Sequence, residues 1–171
     1  LFGWTMPSTW FQSFNPFLIF VLTPFLAKFW GWQANKQKEP ASVTKMGMGC
    51  FIMGLGFVAL AGIFHYLPEG EKTHWLWLFF CVFFFTVGEI YLSPIGLSFV
   101  TKMSPARIVS MMMGVWLLSS FFGNTLAGEL GAYYETMGAQ NFSGMMAALS
   151  LTAAIILLVM SKVMKKTLHV A

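Results

Sequence analysis

A single carboxylate, Glu89, stands in the middle of a long apolar run, bracketed by Gly88 and by Ser93-Pro94. It lies about fifteen residues from the start of that run, which at about 1.5 Å per helical residue puts it some 22 Å deep, near or past a bilayer centre. A charge at that depth costs about 2.5–3.5 kcal/mol even on the lenient insertion scale. Such a group must face a bundle interior or water, be neutral part of the time, or meet a cation, and intramembrane carboxylates are functional sites by default. No Lys or Arg of the sequence lies at matching depth, so a cationic partner, if Glu89 has one, is on helices outside it. Ser93 and Gly96 follow Glu89 on one helix face and make a narrow polar stripe beside Phe79, Phe80, Phe83, Phe84 and Phe85. For Ser93 the plainer reading is a hydroxyl bonded back to a carbonyl near Pro94.

Other residues carry weaker signals. Asn15-Pro16 and Pro24 fall in one apolar run, where proline removes a backbone donor and predicts a bend. Trp116 sits eight residues into its run, below the interfacial belt where membrane Trp usually anchors, and suits either protein packing or a cavity wall. Two rows at helical spacing, Ser119-Gly123-Ala127-Gly131 and Ser120-Asn124-Gly128-Ala132, would let helix backbones approach closely in lipid. Asn124 is expected to make an interhelical hydrogen bond. Cys50 and Cys81 have no metal or disulfide spacing and read as small buried hydrophobes. His65, His74 and His169 sit at run ends or in the tail, so none suits a proton relay. Nucleotide loops, cofactor boxes and nucleophile triads are absent, and one buried acid without a second catalytic group excludes an enzyme. No cofactor is expected.

The elements that must hold these residues are membrane helices. The chain of 171 residues is 57% hydrophobic and only 9% charged, where a globular domain carries about 25% charged residues. Lipid, not water, must cover it, and the fold class is an all-α integral membrane protein. A spanning helix needs about 20 mostly apolar residues. Five stretches qualify: Ser8 to Trp32, Lys45 to Leu67, His74 to Val100, Arg107 to Tyr134 and Phe142 to Val163. Polar connectors are expected at Gln33–Thr44, Pro68–Thr73, Thr101–Ala106 and Glu135–Asn141. Nine of the ten Lys and Arg then fall on one side, against Lys72 on the other, a positive-inside bias that predicts a cytoplasmic C-terminus. The basic residues flank spans rather than form a patch, which excludes nucleic acid. Leu1 opens the chain without a charged n-region, and an odd number of spans beginning outside reads as part of a larger transporter.

Read together, the segments Trp10-Phe11-Gln12-Ser13-Phe14-Asn15-Pro16, Gly88-Glu89-Ile90-Tyr91-Leu92-Ser93-Pro94-Ile95-Gly96-Leu97-Ser98, Met112-Met113-Gly114-Val115-Trp116-Leu117-Leu118 and Gly123-Asn124-Thr125-Leu126-Ala127-Gly128 resemble the proton-dependent oligopeptide transporter family, a branch of the major facilitator superfamily. The resemblance covers nearly the whole chain. It implies that the five spans correspond to the eighth through twelfth helices of a twelve-helix fold whose two halves rock around a central site. It implies proton-driven symport of di- and tripeptides, with protons as the coupling ion and the absent N-terminal half as partner. It also implies roles: Glu89 as the tenth-helix glutamate that meets the peptide amino terminus and exchanges with a lysine of the other half, and Asn15 as the eighth-helix asparagine beside the peptide. Trp116 becomes a pocket tryptophan, with Ser120 one turn further and near it. Phe85 and Trp116 would add unspecific apolar surface. The alternatives are a family member carrying nitrate or another non-peptide solute, and a non-transporting helical bundle pinned by Glu89.

Overall fold

The computed structural model describes residues 8–37, 39–66 and 75–168. The expected connector at Pro68–Thr73 with Glu69, Glu71 and Lys72, and the residues Lys38, His74 and His169, lie outside the described residues. Five helices follow one another: α1 (Ser8–Asn35), α2 (Ser42–Tyr66), α3 (Trp75–Met103), α4 (Val109–Ala132) and α5 (Tyr134–Leu168). All five are long and apolar enough to cross a membrane.

Their limits follow from local chemistry. α1 continues unbroken through Pro16 and Pro24; in a helix with no water to hydrogen-bond freed carbonyls, continuity is the cheaper solution. α2 begins a turn earlier than expected, because Lys45 N–H already donates to the Ala41 carbonyl at 3.0 Å. α3 stops before Pro105, which cannot continue it, and Ser104 Oγ caps the Val100 carbonyl at 2.6 Å. The expected connector at Glu135–Asn141 is helical instead. Tyr134 opens α5, Met137 N–H reaches the Tyr133 carbonyl at 2.9 Å, and a kink follows at Gly138, with φ 75° and ψ 158°. Glycine alone takes that conformation without a steric cost. Polar residues there mark a helical turn and its kink rather than a loop.

α2 is the packing spine, with α5 on one side and α3 on the other, while α1 and α4 lie on α3. Thr44 pairs with Ser161, Gly47 packs on Leu158, Gly54 on Leu151, and His65 bonds Gln140 at 2.9 Å. Each step along α2 is matched by an equal step back along α5, so the pair runs antiparallel in one register from end to end. Gly49 and Gly56, on the other side of α2, receive Tyr91 and Phe85 of α3. Without side chains at these glycines the backbones approach closely, which supplies the dispersion contacts that hold helices together in lipid. Phe85 packs on α2, 4.5 Å centroid to centroid from Phe57. At the basic end, Lys45 is buried, ion-paired with Glu39, and 5.1 Å from the Trp30 ring centroid.

Candidate functional site: a carboxylate at mid-helix

α3 has 29 residues and Glu89 is its middle one, about 21 Å from either end at about 1.5 Å per residue. α3 is also the helix in contact with α1, α2 and α4. Next to Glu89, Gly88 crosses Gly49 so closely that a Cβ on Gly88 would lie 2.8 Å from the Gly49 carbonyl oxygen and 2.2 Å from Met53 Cγ. That crossing fixes the rotation of α3, and the carboxylate one residue on is turned to α1.

There it meets Asn15. Asn15 Nδ2 donates to Glu89 Oε2 at 3.0 Å, and Thr86 Oγ1 donates to Asn15 Oδ1 at 2.8 Å. Thr86 is 0% exposed while Asn15 and Glu89 are half-buried, so the network runs from the core towards an open edge. This bond ties α1 to α3 at mid-helix. Among the described residues no Lys, Arg or His comes within ion-pair distance of Glu89; the ion pair they contain is Lys45–Glu39.

The remaining expected residues lie further off. The half-buried Trp116 of α4 lays its ring on Gly96, where a Cβ would meet Cη2 at 2.2 Å. Gly96 is two turns beyond Glu89 on the same face of α3, about 10 Å along the axis. Trp116 therefore flanks the carboxylate's face without touching the carboxylate. Ser120 is exposed and donates back to the Trp116 carbonyl at 3.4 Å, which Ser119 also reaches at 2.7 Å; it is not brought to Glu89. Ser93 is exposed and makes no back-bond to a carbonyl among the described residues. Asn124 makes no interhelical hydrogen bond among the described residues, and a Cβ at Gly123, Gly128 or Gly131 would meet nothing within 4 Å. The small-residue rows of α4 thus face away from the described helices. Among the described residues no cluster of His, Cys, Asp or Glu suits a metal ion.

Thr86 was not singled out by its sequence. Its signal was its place three residues before Glu89 and hence on the same helix face. In sequence it reads as one more small residue in a phenylalanine-rich run.

Three comparisons give this geometry a context. The family model for POT transporters matches residues 1–166. A peptide transporter of Yersinia enterocolitica, YePEPT, is 36% identical over 135 residues, covering 78% of this chain and 26% of the relative. A di-/tripeptide transporter of Lactococcus lactis subsp. cremoris is 27% identical over 165 residues, covering 94% of this chain and 32% of the relative. The crystal structure of a mutant peptide transporter POT in complex with alafosfalin superposes with a TM-score of 0.85 at 30% identity, over 95% of this chain and 33% of that one. The chain spans about a quarter to a third of the length of these proteins. It is a multi-pass membrane protein of a transporter family, not an enzyme family. Family model, relatives and superposed helices agree, and the chain belongs to the POT family.

Proposed function

We propose that the chain is the C-terminal membrane portion of a proton-coupled symporter of di- and tripeptides, its five helices being the eighth to twelfth of a twelve-helix fold. The observation that carries this reading is the 3.0 Å bond from Asn15 to Glu89 at mid-helix, with no cation of the described residues beside the carboxylate. A carboxylate kept at that depth by one amide has bonding capacity left for an ammonium group. The named relatives, which are peptide and di-/tripeptide transporters, support peptides as the source of that ammonium.

In this mechanism Glu89 alternates between the substrate's amino terminus and a lysine supplied by the N-terminal half. A ligand shifts a conformational equilibrium only by its differential affinity for the two states, so exchanging one cation for the other changes which form of the carrier is favoured. A proton on Glu89 cancels the charge that holds either cation and so couples release to proton entry. An elementary charge moving down 100 mV supplies about 2.3 kcal/mol for the cycle. Asn15 steadies the carboxylate and offers its amide beside the peptide, while Trp116, on Gly96 of the same face of α3, adds apolar surface. The basic helix ends lie in the cytoplasm and the protein resides in the cell membrane, in accord with the Lys and Arg distribution.

The test is Glu89→Gln in the full-length protein, reconstituted in liposomes with an inward proton gradient. Glutamine keeps the size and the bond to Asn15 but carries neither charge nor proton. Proton-driven dipeptide uptake is expected to fall at least about tenfold, the worth of one hydrogen bond to a charged group. Uptake at the wild-type rate would end the proposal, and uptake of nitrate without competition from dipeptides would remove peptides as the substrate.

A further inference from the structure

Thr86 has one hydroxyl hydrogen and two acceptors at equal distance: Asn15 Oδ1 at 2.8 Å and the Val82 carbonyl oxygen at 2.8 Å. Its side chain is 0% exposed, so the hydroxyl itself meets no water and must find its partners within the protein. Asn15 sits between this hydroxyl and Glu89, and a half-turn of its amide exchanges oxygen for nitrogen while leaving the heavy-atom positions unchanged. Two complete networks therefore fit the same geometry. With Glu89 ionised, Thr86 donates to Asn15 Oδ1 and Asn15 Nδ2 donates to Glu89 Oε2. With a proton taken from solvent onto Oε2, the amide is reversed: Glu89 donates to Asn15 Oδ1, Asn15 Nδ2 donates to Thr86 Oγ1, and the Thr86 hydrogen turns to the Val82 carbonyl. No buried donor is orphaned in either arrangement, which is the condition a buried polar network must meet.

We propose that Thr86 is a positioning residue that lets the Asn15 amide reverse as Glu89 gains or loses its proton, so that neither protonation state leaves a donor of the network orphaned. The proposal deepens the reading of Glu89 as the proton and substrate site and rests on it. The titratable groups on the helices packed against α3 are Lys28 of α1, Lys45, Cys50, His65 and Tyr66 of α2, and Glu129 and Tyr133 at the end of α4. None of them bonds Glu89. Thr86 is thus the group that answers the carboxylate's change of state, acting through Asn15.

Removing the hydroxyl affects the two networks unequally. The ionised network loses one bond, from Thr86 to Asn15. The protonated network loses two, from Asn15 to Thr86 and from Thr86 to Val82. The hydroxyl-free protein must therefore hold its proton less well by the worth of about one hydrogen bond, a factor of roughly three to ten.

The experiment measures dipeptide uptake by the full-length transporter in liposomes as a function of proton concentration, for wild type, Thr86→Val, Thr86→Ala and Thr86→Ser. Val keeps the shape, and Ala provides a second hydroxyl-free variant should Val fail to fold. Both are expected to need roughly three- to tenfold more protons for half-maximal uptake, while Ser, which keeps the hydroxyl, restores the wild-type dependence. A merely structural Thr86 would lower uptake by the same factor at every proton concentration. That result, or an altered proton dependence in Thr86→Ser, overturns the proposal. Glu89→Gln measured alongside separates the two levels: wild-type uptake there removes the underlying reading, whereas its loss together with an unmoved Thr86→Val profile removes the amide reversal alone.

Discussion

Three side chains, Glu89, Asn15 and Thr86, make one hydrogen-bonded network across α1 and α3. Glu89 and Asn15 were legible in the sequence, because a lone carboxylate in an apolar run and an Asn-Pro pair in another are costly residues to place there. That they touch, at 3.0 Å, was not legible: nothing in either run encodes the rotation of α1 against α3. Thr86 escaped notice because threonine is cheap in a helix, its hydroxyl satisfied by the preceding turn as it is here at Val82. Trp116 could be read only as packed or cavity-lining, and the choice depended on Gly96 one helix away. Asn15→Ala removes the one donor that Glu89 has among the described residues. Truncating one partner of a bond to a charged group costs about 1.5–3 kcal/mol. Equilibrium binding of a dipeptide to the full-length Asn15→Ala protein is therefore expected to weaken roughly ten- to hundredfold, with the melting temperature moved far less, since Asn15 is half-buried. Unchanged affinity would detach Asn15 from the site.

At the scale of elements, apolarity and length read out all five helices, and charge distribution predicted their alternation. The miss at Glu135–Asn141 has a physical cause. Polarity marks exposure to water or headgroups, and a helical turn satisfies its backbone there as well as a loop does. The glycines of α2 were legible as thinning residues but not by partner; two of them turn to α5 and two to α3, and only packing separates those pairs. This gives a paired expectation. Gly88→Ala drives a methyl into the Gly49 carbonyl and Met53, an overpacking that costs about 1–3 kcal/mol, and should lower the melting temperature of the purified protein. Gly62→Ala meets nothing within 4 Å and should leave it unchanged or raise it, since alanine is the better helix former by about 0.5–1 kcal/mol. Equal melting temperatures for the two would contradict the close crossing beside Glu89.

For the molecule as a whole, the telling feature is what α4 leaves uncovered. None of its spanning window is buried, its small-residue rows face away from the other helices, and the chain spans about a third of the superposed transporter. A bundle whose central acid has no cation beside it among the described residues, and whose neighbouring helix offers an open small-residue face, leaves surface for further helices to cover. The proposed orientation and twelve-helix assignment rest on charge and resemblance; partner surfaces are not legible in the sequence, because small residues announce a close approach without naming what approaches. In the full-length protein Gly123→Leu is expected to lower the melting temperature by several degrees, the worth of roughly 1–3 kcal/mol of overpacking. No change would mean that this row faces lipid.

The central claim is that Glu89 receives a substrate ammonium. It is tested most directly by comparing a free dipeptide with its N-acetylated form, in equilibrium binding to the full-length wild type and to Glu89→Gln. Wild type is expected to prefer the free amine roughly ten- to hundredfold, as one hydrogen bond to a charged group would give, and Glu89→Gln to bind the two alike. If Glu89→Gln keeps the full preference, the ammonium is held elsewhere and the mechanism built on this carboxylate is wrong.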